Sequence, residues 1–135
     1  MVDDVLLNRA ANLERSIARA VEESEAAGDR LATDYTRQDA LIFNLLRACE
    51  TAIDMAMHVV RRDRLGLPQN SRDAFELLQA AGRIDPASAK AMKRMVGFRN
   101  VAVHNYRSLD IEIVKDIVRY RLDDFCAFVR ALIQA

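Results

Sequence analysis

Apolar residues recur along this chain at three- and four-residue steps, and nowhere alternate long enough to make a strand. From Asp3 to Ala27, Val2, Leu6, Ala10, Leu13, Ile17, Ala20 and Val21 form one stripe, and Gly28 follows as a helix end. A second helix is predicted from Thr36, where Thr36 and Asp39 have capping-box spacing with Asp in place of the usual Glu. It runs through LIFNLLRACETAIDMAMHVVRR to about Arg64, and Gly66 and Pro68 end it. Apolar positions cover more than half its circumference, which predicts a central helix or one that also packs on a second subunit. Asn70 caps a short third helix whose apolar side is Phe75, Leu77 and Leu78. Asp85 and Pro86 open a fourth, with Asp as cap and Pro at the first helical position. Asp110 opens a fifth, striped by Ile111, Val114, Val118, Leu122, Phe125, Val129 and Leu132.

The predicted fold is all-α, an antiparallel bundle of four to five helices in one domain over residues 1–135. A hydrophobic fraction of 51% with only four Gly and two Pro agrees with a packed helical chain. Twenty basic and 20 acidic residues give zero net charge, which excludes binding to nucleic acid by bulk charge. Any RNA contact is therefore a local patch. Cys49 and Cys126 fall within helices, and buried free thiols are the expectation over a disulfide. The start of the chain lacks the features of a signal peptide. No apolar run approaches the ~18 residues that span a membrane. A cytoplasmic protein without membrane contact is expected.

The chemistry is concentrated in FRNVAVHNY, Phe98 to Tyr106, which sets Arg99, His104 and Tyr106 in the pattern Arg-x-x-x-x-His-x-Tyr. Arg is always charged and can fork two hydrogen bonds onto a phosphate. His moves protons near pH 7. Tyr donates a hydrogen bond or carries a modification. A phosphodiester-cleaving site can be built from these groups without a metal. On an unbroken helix Arg99 shares a side with Met92, Met95, Val96, Val103 and Tyr106, and His104 points roughly opposite. Arg99 then either contacts phosphate or pairs with an internal carboxylate, for which Asp54 is the candidate. For both residues to reach one phosphate, the helix ends or distorts near Ala102, or a second subunit supplies one of them. Lys90, Lys93, Arg94, Asn100 and His104 share a broad face, with Gly97 leaving room among them. That strip reads either as a solvated face or as a track for RNA phosphates. Arg61, Arg62 and Arg64 suit the dipole at a helix end. His58 reads as a packed or interface residue. Neither zinc-ligand spacing nor a phosphate-cradling glycine loop is present, so neither a metal nor a nucleotide cofactor is implied.

The order of elements, with AIDMAMHVV, GLP-N-S-RDAFELL, MVGFRN, VHNY and the LDIEIV helix start, resembles the HepT toxin family of the HEPN superfamily of helical ribonucleases. The resemblance covers nearly the whole chain and is densest from about Asp39 to Val118. It implies that Arg99 and His104 are the catalytic pair. Asn100 would orient one of them. It implies that Tyr106 is the residue a partner minimal nucleotidyltransferase antitoxin modifies with AMP to silence the toxin. It also implies a homodimer with two motifs facing a shared cleft, and an RNA substrate such as tRNA or mRNA. Two other classes stay open. One is a catalytically inactive HEPN-like binding subunit of a nucleotidyltransferase complex. The other is a purely structural helical dimer.

Overall fold

The computed structural model describes residues 2–134. Among them there is no strand, and the chain folds as an all-helical bundle. Helix α1 (Asp4–Ala27) leads through one 3-10 turn to α2 (Tyr35–Arg62). A short α3 (Ser71–Ala80) is followed by α4 (Pro86–His104). The last helical stretch is α5 (Ile111–Asp116), a π-helical turn (Ile117–Arg121) and α6 (Leu122–Gln134).

Each start is fixed by a short polar side chain that accepts a hydrogen bond from a first-turn N–H. Asp3 accepts from Leu6 at 3.1 Å, Asn70 from Asp73 at 3.0 Å and Asp85 from Ser88 at 2.7 Å. Asp110 accepts from Glu112 at 2.9 Å. Helix α2 departs from expectation. Its cap is Asp34, which accepts from Arg37 at 3.2 Å, and not Thr36. Thr36 lies inside the helix, so Asp39 is released from the expected capping role. At the far end Gly66 has φ +147°, and a Cβ there would lie 2.7 Å from a methyl of Leu77. That turn therefore requires glycine.

Helix α2 is central, packed against α1 most extensively and also against α3, α4 and α6. Leu41, Leu45, Ala48, Met55, Ala56 and Val59 are buried along it. Of the expected α1 stripe, Leu6, Ala10, Leu13 and Ala20 are buried, Ile17 and Val21 half-buried, and Val2 exposed because it precedes the cap. The last stripe holds at Val114, Phe125, Val129 and Leu132. Ile111, Val118 and Leu122 are only half-buried. The π turn inserts a residue and brings Ile117 and Phe128 into the core as well. Phe75 of α3 and Phe128 of α6 meet edge to face, with ring centroids 5.4 Å apart at 70°. Phe128→Ala is expected to cost about 3–5 kcal/mol. Urea denaturation at fixed protein concentration reads this as a lower midpoint with an unchanged slope. A loss under about 1 kcal/mol would show that the core collapses around the gap.

Candidate active site

Helix α4 carries Arg99, Asn100 and His104 without a break, and no distortion occurs at Ala102. It ends on His104. Asn105 leaves helical geometry at φ −151°, while its N–H still donates to the Val101 carbonyl at 2.8 Å. Tyr106–Ser108 then form a 3-10 turn. The site thus stands at an element end, two residues later than expected. Arg99 and His104 lie about 7.5 Å apart along the axis and about 140° apart around it. Among the described residues nothing hydrogen-bonds the exposed His104 side chain.

Arg99 is half-buried, and its Nε donates to the Glu50 carboxylate of α2. Its Nη1 donates to the Asn100 side-chain oxygen at 3.0 Å. The expected partner, Asp54, is instead paired with Arg9 of α1 at 3.4 Å. Asp54 lies one turn further along α2, where α1 rather than α4 supplies the cation. A guanidinium has five N–H donors. Two are used here, and the Nη1–Nη2 end keeps three. Arg99 can therefore hold Glu50 and still fork onto a phosphate. The recess beside it, about 280 Å³, is lined by Asn70, Ser71, Arg72, Val96, Arg99 and Asn100.

Tyr106 lies off the helix, so the wheel expectation that it shares a face with Arg99 is replaced by a specific contact. Its hydroxyl donates to the Asp39 carboxylate of α2. Partial burial, then that hydrogen bond and the carboxylate's charge, push the phenol pKa up to about 12. At neutral pH the hydroxyl keeps its proton. Sequence reasoning missed both Asp39 and Glu50 as site residues. They lie eleven positions apart on α2, about 20° apart around its axis, and that shared side was the available signal.

The strip on α4 divides. Lys93 pairs with Glu76 of α3 at 2.8 Å, and Asn100 turns to Arg99. Lys90 and Arg94 are exposed, and with Lys93, Arg72, Gln79 and Pro86 they line a second recess of about 390 Å³. His58 is a packed residue, 2.7 Å from Asp3, whose carboxylate also accepts from Arg62 at 2.9 Å. These partners hold the Asp3 carboxyl well below the usual range. Cys49 and Cys126 are free thiols; burial pushes Cys49 up to about 12, whereas Cys126 is only half-buried. Among the described residues no three His, Cys, Asp or Glu side chains group as metal ligands. No described helix is long and apolar enough to cross a membrane.

An all-α bundle with an Arg–His–Tyr motif at the end of its fourth helix defines the HEPN class. The chain belongs to the HepT-like family, described as ribonuclease HepT-like, which matches residues 13–132. It is 40% identical over 128 residues to the mRNA nuclease HepT of Shewanella oneidensis, covering 95% of this chain and 96% of that one. The fold matches the tri-AMPylated Shewanella oneidensis HEPN toxin in complex with MNT antitoxin, with a TM-score of 0.94 and 37% identity, over 99% of this chain and 100% of that one. A toxin–antitoxin structure with AMP-PNP matches with a TM-score of 0.91 and 38% identity, over 98% of this chain and 100% of that one. The expected family, fold class and ribonuclease activity are thereby borne out.

Proposed function

We propose that this chain is a metal-independent endoribonuclease toxin, acting as one cytoplasmic domain and silenced by AMP on Tyr106. The carrying observation is Arg99: its outer N–H donors are open, and it lies five residues before a helix-end His104 whose ring is exposed. His104 takes the proton of a ribose 2′-hydroxyl as that oxygen attacks phosphorus. The bond to the 5′-oxygen breaks, and that oxygen receives a proton as it leaves. Arg99, oriented by Asn100, stabilises the charge on the pentacovalent phosphate. Lys90, Lys93 and Arg94 hold neighbouring backbone phosphates. Messenger RNA is the substrate class that the Shewanella relative's name suggests.

The divergence of Arg99 and His104 on one straight helix favours a homodimer that completes each cleft. Val101 and Val103 are 38% and 47% exposed at this end of α4 and give a second copy an apolar contact. Light scattering at micromolar concentration should show twice the 15.3 kDa chain mass. A monomer that cleaves RNA would sink the shared cleft.

The second reading, an inactive binding subunit of a nucleotidyltransferase complex, is favoured by one observation. Arg99 is already neutralised by Glu50. Cleavage of RNA by purified protein decides between them. Activity is expected to survive EDTA, to leave 2′,3′-cyclic phosphate ends or their hydrolysis product, and to fail on 2′-O-methyl RNA. Activity lost to EDTA and restored by magnesium points to other chemistry, and no cleavage at all supports the binding subunit.

A further inference from the structure

We propose that Arg72 is a further RNA-binding residue, which holds a phosphate adjacent to the one being cut and joins the Arg99 recess to the Lys90–Lys93–Arg94 strip. The assignment rests on the ribonuclease reading above. Arg72 lies in the first turn of α3, behind the Asn70 cap, and crosses the flank of α4. It lines both recesses, the one that holds Arg99 and Asn100 and the one that holds Lys90, Lys93 and Arg94.

Gly97 leaves room for this approach. A Cβ at that position would lie 3.3 Å from Nη2 of Arg72. Gly97 falls in the interior of a 19-residue helix, where glycine costs roughly 1 kcal/mol against alanine. The bare backbone lets the guanidinium lie a few tenths of an ångström closer to α4 than an alanine would. The space that the sequence suggests at Gly97 is thus filled by a cation from another helix.

Charge gives the site its ligand. Arg99 is answered by Glu50 and Lys93 by Glu76. Arg72 has no acidic partner among the described residues. The carboxylate nearest to it in sequence, Asp73, is committed to the start of α3, where it accepts the Gln69 N–H at 2.9 Å. Arg72 and Arg94, both exposed and unpaired among the described residues, therefore share one recess with Lys90 and Lys93. Clustered cations left unneutralised suit a polyanion that brings one charge per link. Arg72 can fork onto a phosphate, which fixes the register of the strand against Arg99 as well as adding affinity.

The test uses the full chain with Arg72→Gln, Arg72→Lys and Gly97→Ala. Two substrates are compared: a dinucleotide whose only phosphate is the one cut, and a 12-nucleotide RNA. On the longer RNA, Arg72→Gln should raise KM about tenfold with kcat little changed. The slope of log KM against log salt should fall by about 0.7, the value for one contact to a single strand. Arg72→Lys should recover part of the loss. Gly97→Ala, which shifts the end of the guanidinium by a few tenths of an ångström, should raise KM on the longer RNA less than twofold. The dinucleotide should respond to none of these, which separates a second phosphate contact from a structural effect. Unchanged KM and salt slope on the longer RNA, or equal losses on both substrates, overturn the assignment while the ribonuclease reading stands. If wild type cuts neither substrate, the ribonuclease reading fails. Binding of 2′-O-methyl RNA by wild type and Arg72→Gln then decides the contact separately: equal affinity overturns it, and about tenfold weaker binding supports it.

Discussion

His104→Ala is expected to slow RNA cleavage by about 10²- to 10⁴-fold, the usual worth of a positioned general acid or base. Arg99→Ala should cost about 10²- to 10³-fold, as removal of a charge-stabilising donor does. Both losses should fall on kcat, because both groups act on charge that develops as the 2′-oxygen bonds to phosphorus. The helical circular dichroism should persist in each variant. His104 is exposed at the last position of α4, and nothing among the described residues hydrogen-bonds its side chain. Arg99 gives up its pair with Glu50, but Glu50 is 41% exposed and water replaces the partner. Partly exposed pairs of this kind contribute about 1 kcal/mol or less. If Arg99→Ala melts the bundle, the arginine is a structural cation and the phosphate role fails for it. If His104→Ala cleaves at the wild-type rate, the base lies elsewhere.

Most of the fold was legible because each helix carries its own boundary. Asn70, Asp85 and Asp110 cap their helices as their positions predict, and Asp3, where the first helix was expected to begin, is its cap. Thr36 misled because Asp34, two residues earlier, offers a carboxylate to the same first turn. The π turn was hidden because it changes the phase of the last stripe by one residue without changing its composition. At the site, the motif announced Arg99, His104 and Tyr106, all of which lie on or just beyond one helix. What a helical wheel cannot contain is the register between helices. Whether Arg99 meets Glu50 or Asp54 depends on how α4 slides along α2 by one turn. Asp39 reaches Tyr106, and Arg72 reaches Gly97, across the same kind of interface. Each is a polar residue on a different helix from its partner, with no local pattern to mark it.

Incubation with a cognate nucleotidyltransferase and ATP is expected to add AMP to the peptide that contains Tyr106, with nuclease activity falling in proportion. The fold presents this side chain suitably: it follows the end of α4 in a 3-10 turn, 42% exposed, with its hydroxyl held on Asp39. Like any phenol, the hydroxyl is neutral at physiological pH, the more so with its pKa pushed up to about 12, and must lose its proton as the new bond to the AMP phosphorus forms and pyrophosphate leaves. The Asp39 carboxylate already accepts that hydrogen bond. Asp39→Asn removes the acceptor charge, so the Tyr106 pKa should fall toward the ordinary phenol value, with burial keeping part of the rise. Ultraviolet titration of this variant, corrected with Tyr106→Phe for Tyr35 and Tyr120, reads the shift. Once attached, AMP sets a phosphodiester anion two residues from His104, where it competes with RNA phosphate for the cations and fills the cleft. Tyr106→Phe lacks only the acceptor oxygen, so it should fold as wild type does and stay unmodified. It should remain a nuclease in the presence of the transferase. Equal modification of the Phe variant places the acceptor on another residue and ends the assignment to Tyr106.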